Sequence, residues 1–400
     1  MDGKARLCLA VLSSAALLCA AALAADHPGQ HFQVLSADMP QPYATPGVDN
    51  HSTVIPRPAG ALPEVPKGFT IEPYITGLDE PRFMALAPNG DVFLAEPHTG
   101  SVLLLRGKQV STFATGFNMP HGLAFHDGAL YVGDLNAVWR VGYADGGLTA
   151  GPRAAVTKDP FGGRGNHWTR DIAFGPNGTL YVAIGSASNV AEDPNPRATV
   201  QKVMPDGHLQ TFASGIRNPV GIAFYPGTND LYVTVNERDG LGDELPPDYF
   251  TQIRQGDFFG WPYAYIGPHP DPVFGKKRPD LVAKAKVPDV LFRAHSAPLG
   301  LVFYEGSQFP ESYKGDAFIA LHGSWDSAKP TGYKIVTVKF KDGKPENGYE
   351  NFVTGFRNGD TSPPQVWGRP AGLVVTKDGS LLIADDAGNT LWRVRYVVGK

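Results

Sequence analysis

The chain has little cysteine and little charge. Its two cysteines, Cys8 and Cys19, lie within the first 24 residues, so residues 25–400 hold no thiol for a disulfide, a metal thiolate or redox chemistry. Charged residues make up 18% of the chain, the formal net charge is −4 and no basic run occurs, which argues against a nucleic-acid partner. The Gly-x-Ser-x-Gly, His-Glu-x-x-His, phosphate-loop and dinucleotide-binding signatures are also absent.

The longest apolar run lies at the N-terminus. Lys4 and Arg6 precede an apolar stretch, and Ala22-Leu23-Ala24 offers small residues for cleavage. This pattern predicts a signal peptide over residues 1–24 and a periplasmic or secreted mature chain, because the run is too short for a spanning helix. A large leucine precedes Cys19, which argues against lipid attachment at this cysteine.

What the chain does contain is a short phrase repeated six times. One copy reads Pro-Val-Gly-Ile-Ala-Phe from Pro219, and a turn and an alternating apolar strand follow each copy. The copies begin at Pro81, Pro120, Thr169, Pro219, Pro298 and Pro370. Short strands and tight turns repeated in this way predict an all-β fold, a six-bladed β-propeller with four-stranded antiparallel blades around a central channel.

The repeats also predict how the chain is divided. Residues 67–400 hold the predicted propeller, and residues 25–66, which have no periodicity, form a predicted extended arm. The segment 69–77 matches the strand that ends other repeats, yet it precedes the first repeat. We therefore expect it to complete the last blade beside the C-terminal strand 390–398, which would protect both strand edges.

Equivalent positions in the repeats carry polar residues. The loops that enter the innermost strands of a propeller meet on one face around the axis, so these residues are expected to converge. They are His167, Arg217, Asn218 and Arg369, with Asn118, His121, His295 and His322 in equivalent or neighbouring loops. Arginines in an apolar-walled funnel predict an anionic ligand, and a histidine among them predicts a general base. Ordinary turn chemistry is the competing interpretation.

An acidic loop follows the second strand of the fourth repeat. Residues 236–244 contain four acidic residues and two glycines. Hard cations such as Ca²⁺ bind carboxylate and backbone oxygens on flexible loops. The candidate ligands are Glu237, Asp239, Gly240 and Asp243. The spacing departs from the regular calcium loop, and a solvated loop with an internal Arg238 salt bridge is the alternative.

Four separated segments carry further motifs. They are Asn166-His167-Trp-Thr-Arg170, Arg217-Asn218-Pro219, the acidic loop with the following Gly260-Trp261-Pro262, and His322-Gly-Ser-Trp325 with Gly368-Arg369-Pro370. In this order they resemble the glucose/sorbosone dehydrogenase family of soluble, pyrroloquinoline-quinone-dependent, six-bladed sugar dehydrogenases. The last pair resembles the sorbosone dehydrogenase branch.

The resemblance implies a cofactor, a metal and a reaction. Pyrroloquinoline quinone (PQQ) would lie over the channel mouth with its carboxylates on Arg217 and Arg369 and a quinone oxygen on Asn218, and Ca²⁺ would polarise the quinone carbonyl. His167 would accept the proton of a substrate hydroxyl while hydride passes to the quinone. The implied substrate is a sugar, a sorbosone-like aldose or a polyol, and a periplasmic cytochrome or quinone would accept the electrons.

The chain departs from the family at two points. His322 and Trp325 stand in the fifth-blade loop where the glucose dehydrogenases place a lysine, and the calcium loop is slightly shorter, so glucose itself is in doubt as the substrate. Two other functions stay open. A calcium-dependent lactonase propeller would need an axial cage of Glu, Asn, Asn and Asp, where this chain has His and Arg. A non-catalytic propeller that binds a glycan or a protein is weakened by the ring of arginines.

Overall fold

The protein is a six-bladed β-propeller with an extended N-terminal arm. The computed structural model describes residues 26–397, so the predicted signal peptide lies outside the described residues. Each blade is an antiparallel sheet of four strands. A short additional strand pairs with the outermost strand of blade three, and a different one pairs with the outermost strand of blade five. The predicted all-β propeller is therefore confirmed.

The blades follow the six sequence repeats, with each innermost strand in a repeated phrase. From the channel outward, the strands of blade one are Met84–Leu86, Val92–Glu96, Ser101–Arg106 and Gln109–Ala114, and those of blade two are Gly122–His126, Ala129–Gly133, Val138–Gly142 and Arg153–Ala155. In the same order, blade three has Ile172–Phe174, Leu180–Ile184, Thr199–Val203 and Leu209–Ser214, and blade four has Asn218–Phe224, Leu231–Asn236, Tyr249–Ile253 and Val290–Leu291. Blade five has Pro298–Phe303, Ala317–Leu321, Lys334–Val338 and Tyr349–Val353, and blade six has Pro370–Val375, Leu381–Asp385, Thr390–Tyr396 and Phe69–Thr76.

The tight turns between first and second strands explain the recurrent Asn-Gly and Asp-Gly pairs. Gly90, Gly178 and Gly379 occupy this turn in blades one, three and six, with φ of +98°, +76° and +82°. Glycine adopts this left-handed conformation without a steric penalty, so the turn holds each hairpin in register.

The propeller closes between its two chain ends. The strand Phe69–Thr76 pairs antiparallel with Thr390–Tyr396, as predicted, so an N-terminal strand completes the blade that the C-terminus builds. Phe69 then packs edge-to-face against Phe309 and Phe352, with ring centroids 4.8 and 5.0 Å apart. These aromatic contacts add to the burial that holds blades five and six together.

The arm crosses the outside of the propeller. Its strand His31–Phe32 pairs antiparallel with Tyr349–Val353 of blade five, and Thr53–Val54 pairs in parallel with Gln365–Val366. The remaining short strands are Asp257–Phe258, Ala264–Tyr265, His269–Pro270, Phe340–Lys341 and Lys344–Pro345, and the short helices are Ser36–Asp38, Gly275–Lys277, Pro279–Val282 and Glu311–Tyr313. Within residues 26–397, no helix has the length and apolar character needed to cross a membrane.

Candidate active site

A cavity of about 470 Å³ opens where the loops enter the innermost strands. Five blades contribute to its wall, and blade two does not. The lining residues are Arg82, Asn166–Thr169, Asn189, Arg217, Asn218, Val220, Asn236, Glu237, Asp239, Asp248, His295, Ala297, Leu299, His322, Gly323, Trp325, Asp326 and Arg369. Val220 and Leu299 also belong to a buried apolar cluster with Phe83 and Ala371, so apolar side chains from four blades lie at the base of the cavity. The result is a polar wall above an apolar floor, typical of a small-molecule site.

His167 is held in one tautomer by blade three. Its Nδ1 lies 2.7 Å from Ser186 Oγ and 3.1 Å from the Ser186 carbonyl oxygen. The Ser186 hydroxyl donates to the Ser188 carbonyl, so both Ser186 oxygens act as acceptors and Nδ1 carries the proton. Nε2 therefore holds the lone pair, and it has no hydrogen-bond partner among residues 26–397. A neutral imidazole with a free Nε2 is prepared to accept a proton.

The surroundings of His167 keep the ring neutral. Burial, then the positive charges of Arg217, Arg197 and Arg170, lower the pKa of His167 to about 3 against the pull of the Ser186 carbonyl. The ring is only partly exposed at the cavity wall. An anionic ligand beside these arginines would offset their charge and raise the pKa of His167 toward the neutral range.

Arg369 is the lining arginine with the most capacity for a ligand. Its Nε and Nη2 donate to the carbonyls of His322 and Gly323 at 3.2 and 2.9 Å, and Tyr333 lies under the guanidinium. Among the described residues no carboxylate lies within 4.0 Å of it, whereas Arg82 and Arg217 each pair with one. Arg369 therefore presents a guanidinium without a direct carboxylate partner in the described chain, and its remaining N–H groups, to the cavity.

Arg217 lies in the wall with its donors already used. Nε and Nη2 donate to the Asn189 carbonyl and side chain, Nη1 to the carbonyls of Asn236 and Glu237, and Nη2 also to Asp239 at 3.0 Å. All five N–H groups have acceptors. Arg217 therefore contributes positive charge and fixes the acidic loop, while a direct ligand contact would require one of these bonds to exchange.

Asn218 keeps hydrogen-bonding capacity beside His167. Its Nδ2 donates one N–H to Asn236 Oδ1 at 3.4 Å, while its buried Oδ1 has no partner in the described chain. A Cβ on Gly185 would lie 2.5 Å from Asn218 Oδ1 and 2.6 Å from His167 Cβ. Glycine at position 185 is thus what allows these two side chains to lie together.

The acidic side of the cavity is a cluster from three loops. Asp239, His295 and Asp326 bring their ligand atoms within 4.8 Å of one another. His295 Nε2 donates to the Gly242 carbonyl at 3.0 Å, and Nδ1 faces Asp326 at 2.9 Å. Although burial disfavours the imidazolium, Asp326 raises the pKa of His295 to about 9. Burial raises the pKa of Asp239 to about 6, against the charge of Arg217.

Two further carboxyl groups adjoin this cluster. Burial raises the pKa of Glu237 to about 8, and its Oε1 has no hydrogen-bond partner among the described residues. Burial also raises the pKa of Asp248 to about 7, while its two oxygens accept from the Glu237 and Ala297 backbone N–H groups at 2.8 Å. A bound cation would stabilise the ionised form of such buried carboxyl groups, whose negative charge is not fully balanced by neighbouring positive charges and hydrogen bonds.

The predicted metal ligands are only partly brought together. Glu237 and Asp239 line the cavity, but Gly240 and Asp243 do not. Asp243 instead accepts from the Ala328 backbone N–H at 2.7 Å, which ties the acidic loop to the fifth-blade loop. We therefore omit Gly240 and Asp243 from the candidate metal site, because the loop turns away from the cavity after Asp239.

The two predicted residues from blade two also lie outside the lining. Asn118 is exposed and donates to Asn136 at 3.2 Å. His121 is buried below the cavity between Phe83 and Trp168, with ring centroids 4.1 and 5.5 Å away. We therefore omit both from the candidate cofactor site.

His322 lines the cavity and is anchored from blade six. Its Nε2 lies 2.9 Å from Asp386 Oδ2, and Arg82 pairs with the same carboxylate. Burial and the charge of Arg369 lower the pKa of His322 to about 4, so the neutral ring donates Nε2–H to Asp386. Burial opposes ionisation of Asp386, yet the surrounding positive charges hold the pKa of Asp386 below its usual range.

Sequence reasoning missed several lining residues. Asp326 directly follows the His322–Trp325 motif, so this motif could have indicated it as a site residue. Trp168 and Asn189 lie beside His167 and Ser186 in blade three. Asp248 follows two prolines in the long fourth-blade loop, where no repeat-equivalent position marks it.

Comparisons with known proteins place the chain in a family. The model of the family described as Glucose / Sorbosone dehydrogenase matches residues 136–324, and the model described as TrAA12-like matches residues 278–397. An uncharacterized protein of Borreliella burgdorferi is 31% identical over 357 residues, which cover 83% of this chain and 90% of that protein.

Two solved structures share the fold. The holo form of the pyranose dehydrogenase PQQ domain from Coprinopsis cinerea superposes with a TM-score of 0.70 at 18% identity, covering 86% of this chain and 99% of the other. The calcium structure of Trichoderma reesei Carbohydrate-Active Enzymes Family AA12 gives a TM-score of 0.68 at 21% identity, covering 84% and 97%. With the family models and the near-full-length relative, these findings show that the chain belongs to the glucose/sorbosone dehydrogenase family.

Proposed function

We propose that the protein is a PQQ-dependent dehydrogenase that oxidises the hydroxyl or hydrated aldehyde of a sugar, a sorbosone-like aldose or a polyol. The observation that carries the proposal is that one cavity holds both a neutral histidine, His167, whose Nε2 has no hydrogen-bond partner within residues 26–397, and an arginine, Arg369, with no carboxylate within 4.0 Å in that range. Family membership and the PQQ domain from Coprinopsis cinerea support the same reading.

The residues present fit an anionic quinone. A tricarboxylate needs positive charge, and Arg369 offers it with no carboxylate within 4.0 Å among the described residues, while Arg82 and Arg217 at the wall are each paired with one. Asn218 Nδ2 gives one N–H to Asn236, and its second N–H, which has no acceptor among the described residues, can donate to a quinone oxygen. Arg369, Asn218 and His322 are the residues that would hold the cofactor.

A divalent cation fits the acidic side of the same cavity. Asp239, Asp326 and Glu237 supply carboxylate oxygens, which are the ligands that Ca²⁺ prefers, and their burial makes a cation favourable there. The calcium structure from Trichoderma reesei shares the fold and is consistent with this proposal. The cation in this site would polarise an oxygen atom of the bound ligand.

The chain's own part in the reaction is proton transfer and orientation. Oxidation of a carbinol carbon releases a hydride and a proton, and PQQ, when bound, supplies the two-electron acceptor. The hydroxyl proton passes to His167 Nε2 while Ser186 holds Nδ1–H and thereby fixes the ring. Arg170 and Arg197 both donate to the His167 carbonyl, at 3.0 and 3.3 Å, so the backbone that carries the base is fixed as well.

Location and electron acceptor complete the proposal. The N-terminal sequence features support a periplasmic or secreted protein. A periplasmic cytochrome or quinone is the proposed acceptor of the two electrons, because the reduced cofactor must be reoxidised outside the cytoplasm.

Reconstitution tests the proposal. Protein is loaded with PQQ and Ca²⁺, quinone uptake is followed by absorbance, and sugars and polyols are assayed with an acceptor dye. We expect Arg369→Gln to weaken quinone uptake by about 10–100-fold, the cost of one charged hydrogen bond, and His167→Ala to lower kcat by about 10²–10⁴-fold with uptake retained.

Matched controls separate these effects from general damage. Arg153→Gln and His208→Ala alter exposed residues of the same types in blades two and three, away from the cavity, and we expect wild-type behaviour. The proposal fails if the wild-type protein takes up no quinone, or if Arg369→Gln binds it as well as Arg153→Gln does.

A further inference from the structure

The N-terminal arm reaches the cavity loops. Its residues 43–51, here called the strap, cross the acidic loop of blade four and then the fifth-blade loop that carries His322, Trp325 and Asp326. This segment shows no periodicity and no motif in the sequence. Its contacts nevertheless fall on the two loops that build the acidic side of the cavity.

The first half of the strap binds the acidic loop. The Tyr43 backbone N–H donates to the Leu241 carbonyl at 2.7 Å, and Thr45 Oγ1 accepts from the Asp243 backbone N–H at 2.8 Å. Gly242 lies between them with φ of +127°, and a Cβ there would stand 2.9 Å from Thr45 Oγ1. The loop thus requires glycine where the strap crosses it.

The second half of the strap binds the fifth-blade loop. The Asn50 backbone N–H donates to the Trp325 carbonyl at 2.7 Å, and Asn50 Nδ2 donates to the Ser327 carbonyl at 2.8 Å. The His51 ring stacks on Trp325 with centroids 5.1 Å apart and an interplanar angle of 20°. Both sides of Asp326 are therefore held by the strap.

The two loops are also joined directly at Asp243, whose carboxylate accepts from the Ala328 N–H at 2.7 Å. Strap, acidic loop and fifth-blade loop form one hydrogen-bonded unit. Asp239 and Asp326, whose carboxylates belong to one cluster on the acidic side of the cavity, lie on the two loops of this unit. The relative position of these carboxylates thus depends on contacts outside the cavity.

We propose that Thr45 and Asn50 are positioning residues: through them the strap sets the spacing of Asp239 and Asp326 and so the affinity of the cavity for its ligands. Thr45 is exposed and Asn50 is only partly buried, and neither contributes to an apolar core. Replacing them therefore removes little hydrophobic stabilisation, which makes a positioning role separable from a structural one. What the cavity binds rests on the proposed function, whereas the ordering of the loops does not.

The test combines loop exchange with ligand binding in the full chain. The double variant Thr45→Val/Asn50→Ala removes one acceptor and one donor, and Thr45→Ser/Asn50→Ala restores the acceptor. Asp26→Asn is the matched control, because Asp26 anchors the same arm elsewhere, on Lys334 at 3.0 Å. Hydrogen exchange is followed in residues 237–248 and 322–331, and PQQ affinity, KM and kcat are measured in the Ca²⁺-loaded protein.

We expect exchange in both loops to accelerate about tenfold in the double variant, with the blades unchanged, since two hydrogen bonds are lost. The dissociation constant for PQQ and the KM should rise by a similar factor while kcat stays within about twofold, and the serine variant should recover part of both. Asp26→Asn should change neither loop exchange nor affinity.

Unchanged loop exchange in the double variant overturns the inference, as does faster exchange with wild-type affinity and KM. If the wild-type protein binds no PQQ, the proposed function fails, and the exchange measurement still decides whether the strap orders the loops.

Discussion

The buried, neutral state of His167 makes this side chain one source of the acid sensitivity of the protein. Its pKa is lowered from 6.5 to about 3 by burial and by neighbouring arginines. Between these values the unfolded chain binds a proton at this residue and the folded chain does not. The free energy of unfolding therefore falls as the pH falls through this window. Replacement by glutamine removes the titration and keeps a side chain that can donate to Ser186.

The size of the effect follows from the two pKa values. Going from pH 7 to pH 4, the linkage relation gives a loss of about 3 kcal/mol from this residue. The ring borders solvent in the cavity, so screening reduces the expected loss to roughly 1–3 kcal/mol. Every other acid-sensitive group is shared by the wild type and His167→Gln, so its contribution cancels in the difference between the two proteins.

The assay is urea unfolding of the ligand-free protein at pH 7 and pH 4. His167→Gln should lose less free energy of unfolding than the wild type over this interval, by the amount given above. Nitrogen chemical shifts of labelled histidine should in addition show a protonated Nδ1 and a bare Nε2. Equal losses in the two proteins, or a bare Nδ1, would refute the reasoning about this base.

Three other predictions concern buried charge. Asp386→Asn leaves Arg82 without its carboxylate and should lower the free energy of unfolding by about 3–5 kcal/mol in urea, with a smaller loss contradicting a buried ion pair. Burial raises the pKa of Asp171 to about 8, so ionisation of this carboxyl destabilises the folded protein between pH 5 and pH 8.5, and the melting temperature of Asp171→Asn should fall less over this interval than that of the wild type, an equal fall contradicting the assignment. Ca²⁺ at 100 times its dissociation constant should stabilise the wild type by about 2.7 kcal/mol in a melting experiment, and the same stabilisation of Asp326→Asn would remove that residue from the metal site.

The repeated phrase was enough to predict the blades, because in every repeat the phrase forms the innermost strand and, after a turn, the apolar segment that follows forms the next strand. It also predicted the closing strand Phe69–Thr76, which resembles its counterparts in sequence. The positions entering the innermost strands predicted His167, Arg217, Asn218 and Arg369 as neighbours, and the structure brings all four to one cavity. These four residues converge because the loops that enter the innermost strands of a propeller meet around its axis.

The parts of the site that could not be predicted from the sequence depend on the course of the loops and on contacts between distant segments of the chain. Nothing local distinguishes Gly240 and Asp243 from Asp239, yet the acidic loop turns away from the cavity after Asp239. Asn118 and His121 occupy repeat-equivalent positions in blade two, which contributes nothing to the lining. The contacts of Thr45 with Asp243 cross 198 positions of the chain, so no local pattern reports them.

The central claim is that this cavity binds an anionic quinone through Arg369. Calorimetric titration of PQQ into Ca²⁺-loaded protein, with the wild type, Arg369→Gln and Arg153→Gln in parallel, tests it most directly. The account predicts one quinone per chain in the wild type and in Arg153→Gln, weakened about 10–100-fold in Arg369→Gln. Absence of binding in the wild type, or equal affinity in all three proteins, would contradict it.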